Sequence, residues 1–414
     1  MNRTLVTLSL FVNYFVFAIL LNSVGTVILQ VQNTYGVSES AAGMLEAFKD
    51  LPIAITSFLV ASFIARLGYR QAMQIALALV AAVAIVMPFV PVFWMTKLMF
   101  AATGVGFALV KISVFATIGV VTDSRREHAS MMNFLESFFM VGVLSGYFIF
   151  SAFVDDAEPG SDAWLNVYYV LAAMAALAFV LLSLARIETP APAESHTSPR
   201  QDFVDMVSLV ALPLVLVFVV SAFLYVLIEQ SIMSWLPTFN SRILNLSPSL
   251  SIQMASILAA ATALGRFAAG FLLRRFDWSW VLSTSLVSAA VLVLVALPLA
   301  GSTSEEPIRS WAAAPLAAFV FPLIGFLLAP VYPAINSVIL SSLPGSRHAA
   351  MAGLIVVFSA LGGTSGSMLT GVLFEAFGGR TAFYFSLFPL TLMFFALLLF
   401  KRLSEQPTRS VSYS

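Results

Sequence analysis

The stretch GVGFALVKISVFATIGVVTDSRREH, residues 104–128, has the pattern of a long apolar helix with one lysine, Lys111, in its middle. The helix ends in an abrupt polar turn that begins at Asp123. About 18 Å of helix separates Lys111 from Asp123 at about 1.5 Å per residue, and a bilayer core is about 30 Å thick. The stretch therefore predicts a transmembrane helix that holds a lysine near the bilayer midplane.

A lysine at that depth costs about 2.5–3.5 kcal/mol on insertion scales, so its side chain must face protein or a watery cavity. A structural ion pair between helices and a substrate or coupling site both meet this requirement. Because no acidic residue in the first half of the chain is predicted at the same depth, an anionic group of a substrate is the partner we expect for Lys111.

The composition of the 414-residue chain is that of a polytopic α-helical membrane protein, with 60% hydrophobic and only 10% charged residues. These apolar runs are too long and continuous for the strands of a barrel. The net charge of zero leaves no basic footprint for nucleic acid, and the chain has no cysteine. Without a recognisable catalytic or metal-binding motif, we expect neither an enzyme nor a cofactor or metal.

Twelve apolar segments are predicted, each long enough to cross a bilayer. They are residues 5–31, 41–65, 73–90, 94–121, 130–153, 164–186, 206–236, 250–273, 279–300, 310–340, 350–376 and 381–400. The Pro- and Ser-rich stretch 187–205 is predicted to be a linker between six-helix halves at 1–186 and 206–400, and 401–414 to be a tail.

Basic residues concentrate in one set of predicted loops and tails: Arg3, Arg66, Arg70, Arg125, Arg126, Arg186, Arg200, Arg274, Arg275, Arg347, Lys401, Arg402 and Arg409. The opposite loops hold Arg242, Arg309 and Arg380, and are otherwise acidic. Because basic loops stay on the cytoplasmic side, we expect both termini and the linker in the cytoplasm, and a bacterial inner membrane as the location.

Three short matches relate the two halves, each about 220 residues apart. GFAL at 106–109 returns as GFLL at 325–328, HASM at 128–131 as HAAM at 348–351, and GVLSG at 142–146 as GGTSG at 362–366. Two repeated six-helix halves resemble the plan of major facilitator transporters, so the fold class we expect is the all-α major facilitator fold with twelve transmembrane helices.

The loop between segments two and three, ASFIARLGYRQ, resembles the signature G-x-x-x-D-R-x-G-R-K of that superfamily, with Ala65 where the acid belongs. A second copy, GRFAAGFLLRRF, occurs in segment eight. The resemblance implies a gate at the inner surface, for which the candidates are Arg66, Arg70 and Arg275. The missing acid weakens the expected charge pairing.

Within the superfamily the chain is most similar to the fucose permease-like sugar:proton symporters, through YVLIEQSIMSWLPTF at 225–239 and NFLESFFMVG at 133–142. That resemblance implies an acid in segment one and a glutamate in segment four. The matching positions here are Asn22 and Lys111, so sugar:proton symport does not transfer directly.

Glu46, Lys49 and Asp50 open segment two at helical spacing on one face. About 22 Å of helix separates them from the inner end of the segment, which places them in the outer third of the membrane. A solvated face at the mouth of a cavity and an outer gate or ion path are both consistent with the pattern.

Two further acids lie inside predicted segments. Glu136 in segment five is an ion-coupling candidate, and an ion pair with Arg125 or Arg126 is the alternative. Glu229 in segment seven is followed by Gln230, a substrate-binding candidate. A carboxyl group in apolar surroundings exchanges its proton nearer to neutral pH, so Glu229 is the first candidate for ion coupling.

The remaining substrate-binding candidates are Asn22, Arg266 and Tyr332. Asn22 offers hydrogen bonds in segment one, and Arg266 in segment eight suits an anion or a structural role. Tyr332 belongs to APVYP at 329–333, two prolines that are expected to break segment ten and expose backbone carbonyls to a cavity or to form a packing kink.

These features favour a monomeric secondary active transporter that moves a small polar solute, with an anionic group as one option, by alternating access. Protons or another cation supply the energy, because no nucleotide-binding motif is visible. Efflux of amphipathic compounds by proton antiport and sugar:proton symport remain the alternatives. A membrane-embedded enzyme and a receptor or scaffold are the competing classes.

Overall fold

The structure is a computed structural model that describes residues 3–61, 64–185, 187, 204, 206–300, 306–344 and 347–405. The predicted linker 187–205 and tail 401–414 lie largely outside these ranges. The side chains of Arg66 and Arg125 also lie outside the description.

The first half of the chain contributes six spans, numbered in chain order. They are span 1, with helices Arg3–Asn22 and Val24–Tyr35; span 2, with Glu39–Gly43, Leu45–Ala61 and Ile64–Leu67; span 3, Tyr69–Val86; span 4, Phe93–Val121; span 5, Arg125–Ser151; and span 6, Val167–Leu184.

The second half contributes six more. They are span 7, with helices Pro213–Met233 and Leu236–Arg242; span 8, Pro248–Arg275; span 9, Trp278–Ala296; span 10, with Leu316–Val320, Ile324–Leu328 and Val331–Ser341; span 11, His348–Phe377; and span 12, with Gly379–Tyr384 and Leu387–Ser404.

Eleven stretches of the described chain are long and apolar enough to cross a membrane. Span 2 is the twelfth: its central helix has 17 residues, contains Pro52 and begins with the three charged residues of the predicted gate. The predicted all-α fold with twelve membrane helices is therefore confirmed, and the span outside the eleven is the one that opens with three charged residues.

Three spans differ from plain apolar runs. Span 1 breaks at Ser23, which the sequence did not indicate, and span 10 breaks between Leu328 and Val331, as the two prolines predict. Span 7 begins at Pro213 rather than at 206, because proline is favoured in the first turn of a helix. It continues past Trp235, since Pro237 occupies the first turn of the next helix.

The polar turn after span 4 is closed by local hydrogen bonds. Ser124 caps span 5, because its hydroxyl accepts from the amide of Glu127 at 3.1 Å, and Glu127 accepts from the amide of Asp123 at 2.8 Å. Arg3 of span 1 pairs with Asp123 at 2.7 Å, and this hydrogen bond holds the pKa of Asp123 below its ordinary value. The pair anchors the start of span 1 to the turn.

The bundle has two ends of different charge. The basic face is the end that holds Arg3, the turn at Asp123, and Lys401, which pairs with Asp277 at 3.3 Å. The acidic face is the opposite end, where the loop acid Asp156 lies. Towards the acidic face the two halves pack together, with span 2 on span 11, span 5 on span 8, and span 1 on span 7.

Within the second half, Gly265 of span 8 lets span 10 approach closely. A Cβ atom at this position would lie 2.8 Å from the Cβ of Ala329 and would overlap the carbonyl oxygen of Phe326. Gly270, one turn further along the same helix, faces open space. The two glycines therefore separate the effect of packing from that of helix propensity.

We expect Gly265→Ala to lower the thermal stability of the purified protein and Gly270→Ala to leave it equal or higher. Overpacking of this kind costs about 1–3 kcal/mol, whereas alanine in a helix gains up to about 1 kcal/mol over glycine. Unfolding in detergent, followed by tryptophan fluorescence, provides the comparison. Equal stability of the two variants would contradict the packing of span 8 on span 10.

Candidate functional site

A cavity lies between the two halves, about midway along the spans. Spans 1 and 5 line it from the first half, and spans 7, 8 and 10 from the second. Its polar lining residues are Asn22, Tyr225, Glu229, Gln230, Thr262 and Arg266. The remaining lining is apolar, including Phe139, Met140 and Leu258.

Glu229 is held in this cavity by a neighbour on its own helix. The hydroxyl of Tyr225, one turn earlier in span 7, donates to Glu229 Oε1 at 3.0 Å. The Tyr225 ring stacks on Tyr332 of span 10, with centroids 5.3 Å apart and planes at 21°. The Tyr332 hydroxyl is in turn 2.7 Å from the hydroxyl of Ser359 in span 11. Tyr332 thus supports the wall behind Tyr225 and is not among the residues that line the cavity.

Arg266 brings a guanidinium group to the same cavity. It lies roughly 14 Å of helix from Arg275 at the basic end of span 8, at 1.5 Å per residue. Its side chain is exposed to the cavity. Within the described part of the chain it forms no hydrogen bond or ion pair. Its five N–H donors are therefore open to a ligand.

Asn22 and Gln230 also reach the cavity, as their assignment as substrate candidates predicts. Asn22 donates to the carbonyl oxygen of Ala18 at 2.9 Å, next to the break in span 1. Gln230 turns its amide towards span 2 and donates to Glu46 Oε1 at 2.9 Å. One side chain thereby contacts both the cavity and the predicted outer gate.

Lys111 and Glu136 form a separate polar group in the first half. The ammonium group of Lys111 lies over the rings of Phe107 and Phe115, at 5.7 and 5.9 Å from their centroids. Glu136 accepts a hydrogen bond of 3.2 Å from the hydroxyl of Tyr14 in span 1. Both charged side chains are exposed, and neither lines the cavity described above.

The two charges interact electrostatically, but the described residues form no ion pair with Lys111 within 4 Å. The expectation that the first half has no acid near Lys111 is therefore only partly right. Glu136 lies close enough to Lys111 for an electrostatic interaction. Its carboxylate accepts a hydrogen bond from the Tyr14 hydroxyl instead of pairing with the lysine. The sequence did not indicate Tyr14, because it lies far from Glu136 along the chain.

The predicted outer gate is a buried cluster between the halves. The relative solvent exposures of Glu46, Lys49 and Asp50 are 0%, 6% and 9%. Lys49 pairs with Glu46 and lies 3.5 Å from Asp50 Oδ1. The alternative of a solvated face is wrong for this structure, because spans 7 and 11 cover the cluster.

Further contacts close the acidic face around this cluster. The indole of Trp235 donates to the carbonyl oxygen of Ser367 at 2.9 Å. At the rim, Asp156 accepts from the amide and the hydroxyl of Ser249 at 2.9 and 2.5 Å, and Glu375 accepts from the amide of Ser40 at 3.0 Å.

The gate candidates at the basic face show a different arrangement. Arg70 donates to the carbonyl oxygen of Ser183 in span 6, within its own half. Arg275 is exposed at the end of span 8. These two arginines do not bridge the halves in the described structure.

The family model for the Major Facilitator Superfamily matches residues 6–367. A sequence comparison with curated proteins gave no match.

Among solved structures, the chain is similar to the nucleoside transporter NupG, with 16% identity, coverage of 98% of this chain and 100% of that chain, and a TM-score of 0.73. A bacterial homologue of the human lysosomal transporter Spinster has 16% identity, coverage of 97% and 95%, and a TM-score of 0.72. The E. coli fucose:proton symporter FucP has 17% identity, coverage of 98% and 100%, and a TM-score of 0.61. Identities at this level show a shared fold.

We expect Lys111→Ala and Glu136→Gln to have small and nearly additive effects on thermal stability, because the two side chains are not directly bonded. A buried structural pair would instead cost about 3–5 kcal/mol when one partner is removed. A double-mutant cycle on the purified protein measures the coupling. Severe destabilisation by Lys111→Ala that Glu136→Gln then reverses would identify a structural pair and contradict this expectation.

Proposed function

Because the chain belongs to the Major Facilitator Superfamily, we propose that it is a secondary active transporter. Its solute is small and polar and carries an anionic group. The two six-helix halves alternate access to the central cavity. Protons, or another cation, supply the energy, and Glu229 takes part in the coupling.

The observation that carries the proposal is the unpartnered guanidinium of Arg266 in a cavity lined by both halves. Arginine binds carboxylate and phosphate groups through two parallel hydrogen bonds. A charged group at this depth in a membrane is costly unless it is functional or paired. An anionic group of the solute would supply the missing partner.

Other residues would complete the binding site. Asn22 and Gln230 offer amide groups to the polar remainder of a solute, on opposite walls of the cavity. Lys111 adds a second cation in the first half, and we propose that it meets the solute or its anionic group during the transport cycle. Tyr332 would contribute by holding Tyr225 in place.

Coupling through Glu229 rests on its position. The carboxyl group lies in a largely apolar cavity and has a hydroxyl donor, Tyr225, on one oxygen. Such a group can gain or lose a proton as the cavity changes its exposure to water. Glu136 in span 5 is a second coupling candidate, because its carboxylate also accepts a hydrogen bond from a tyrosine hydroxyl, that of Tyr14.

Two alternatives have specific support. The apolar lining by Phe139, Met140 and Leu328 favours efflux of amphipathic compounds. A sugar:proton symporter such as FucP has the same fold, but the two charges at Arg266 and Lys111 suit a neutral sugar less well than an anion. We favour the anionic solute for that reason.

The remaining proposals concern the setting. Both termini lie in the cytoplasm, as the distribution of basic residues in the sequence favours. We also propose a bacterial inner membrane as the location and a monomeric state. In that orientation the basic face is cytoplasmic, and the closed acidic face is the outer one.

A thermal-shift screen of purified protein against carboxylates, phosphates and neutral sugars tests the solute class, since a ligand of the native state stabilises it. We expect an anionic solute to stabilise the wild type. Arg266→Gln should weaken its binding at least about tenfold, as loss of a charge-assisted bond implies. Arg274→Gln, an exposed arginine at the end of the same helix, is the matched control. Stabilisation by neutral sugars alone, unaffected by Arg266→Gln, would refute the anionic class.

Once a solute is identified, proteoliposomes test the coupling. Glu229→Gln should abolish accumulation driven by a proton gradient and leave solute exchange measurable. Glu158→Gln, which removes an exposed loop carboxylate, should behave like wild type. Full accumulation with unchanged pH dependence in Glu229→Gln would remove Glu229 from the mechanism.

A further inference from the structure

The charged cluster of Glu46, Lys49 and Asp50 is unusual because of its charge balance. Two carboxyl groups share one ammonium group, and all three residues are at least nine-tenths buried. If every group were ionised, the cluster would carry one net negative charge out of contact with water. Buried charges are paired or neutralised, so the cluster needs one more positive charge or one proton.

Among the described residues, the other half of the protein supplies hydrogen bonds and no charge to the cluster. Gln230 donates to Glu46 Oε1 at 2.9 Å, and the hydroxyl of Ser234 donates to Glu46 Oε2 at 3.0 Å. Span 11 presents Gly363, where a Cβ atom would overlap Asp50 Oδ2. Closure of the acidic face thus removes water from the cluster and replaces it with two neutral donors.

The two carboxyl groups differ in their surroundings. Glu46 accepts from Lys49, Gln230 and Ser234, so donors occupy both of its carboxylate oxygens. Among the described residues, Asp50 has only Lys49 as a polar partner, at 3.5 Å, and it packs against the backbone of Gly363. The proton therefore belongs on Asp50.

Three other ionisable side chains on spans 4, 7 and 11 are occupied elsewhere. They are Lys97 in span 4, Glu229 in span 7 and Glu375 in span 11. Lys97 lies over two aromatic rings, Glu229 accepts from a tyrosine in the cavity, and Glu375 accepts from a backbone amide at the rim. In the described part of the chain, none of the three bonds to the cluster.

We propose that the Glu46–Lys49–Asp50 cluster is a proton-binding site that couples the acidic-face gate to the proton gradient, with Asp50 carrying the proton while the gate is closed. This inference rests on the proposed function, since it specifies the coupling ion as a proton and adds a second protonation site beside Glu229.

The proton balance of the gate follows directly. With the gate closed, one proton on Asp50 makes the cluster neutral. When the gate opens, Gln230 and Ser234 leave Glu46, water enters, and Asp50 releases its proton to the solution at the acidic face. The gate closes again after Asp50 takes up a proton from that solution, so each closure captures one proton.

The sign of the pH dependence is fixed by this balance. The closed state binds one proton more than the open state, so low pH favours closure and high pH favours opening. Above the transition, the ratio of open to closed protein should rise about tenfold per pH unit for one proton.

Spin labels across the acidic face measure the gate directly. The chain has no cysteine, so Glu158→Cys in the loop after span 5 and Ser310→Cys before span 10 give one exposed site on each half. Pulsed electron–electron double resonance on reconstituted protein, at pH 5 to 9 and without solute, measures the distance between the two spin labels. We expect a short distance at low pH and a growing long-distance population as the pH rises.

In the same background, Asp50→Asn mimics the protonated group and should keep the short distance at every pH. Asp156→Asn, which loses a rim contact but leaves the cluster intact, should keep the wild-type pH dependence. Lys49→Gln leaves two carboxyl groups without a cation, so closure needs two protons and the transition should move to lower pH.

A pH response of Asp50→Asn equal to that of wild type, or no response in the wild type, would overturn the proposal. If Asp50→Asn does not fold, the Lys49→Gln variant decides: a gate transition at the same pH as in the wild type would overturn the proposal. The measurement needs no solute, so a failure to find an anionic substrate would refute the proposed function and leave the gate result unaffected.

Discussion

The arrangement of this protein depends on the cost of keeping charges out of water between two halves that must also separate. In span 2, an acid, a base and a second acid occur within five residues at the start of a helix of 17 residues. Such residues remain inside a membrane protein only if neighbours compensate them. Spans 7 and 11 provide that compensation at one end of the bundle, so burial of the cluster and closure of the acidic face are the same event.

Gln230 joins the gate to the cavity. Gln230 lines the cavity and donates to Glu46, while the preceding residue, Glu229, points its carboxyl group into the cavity. A movement of span 7 that opens the gate must therefore alter the binding site. This linkage is the physical requirement of alternating access, in which the same site faces each side of the membrane in turn.

The sequence predicted the membrane-spanning elements well, because the apolar length needed to cross a bilayer leaves little freedom. It located the break in span 10 from two prolines, but not the break in span 1 at Ser23, which no proline marks. Four-residue spacing also places Tyr225 and Glu229 on one face of a helix, which is a signal for their hydrogen bond. The partners Glu46–Gln230 and Tyr14–Glu136 were out of reach, since they depend on how distant spans pack.

A measurement of the protonation state of Asp50 tests the proposed gate mechanism most directly. Infrared difference spectroscopy of the reconstituted protein distinguishes a protonated carboxyl group from a carboxylate by its carbonyl stretch. We predict a protonated carboxyl band at neutral pH that disappears as the gate opens at high pH and is missing in Asp50→Asn. A band that is absent from the wild type, or that persists unchanged in Asp50→Asn, would contradict the account.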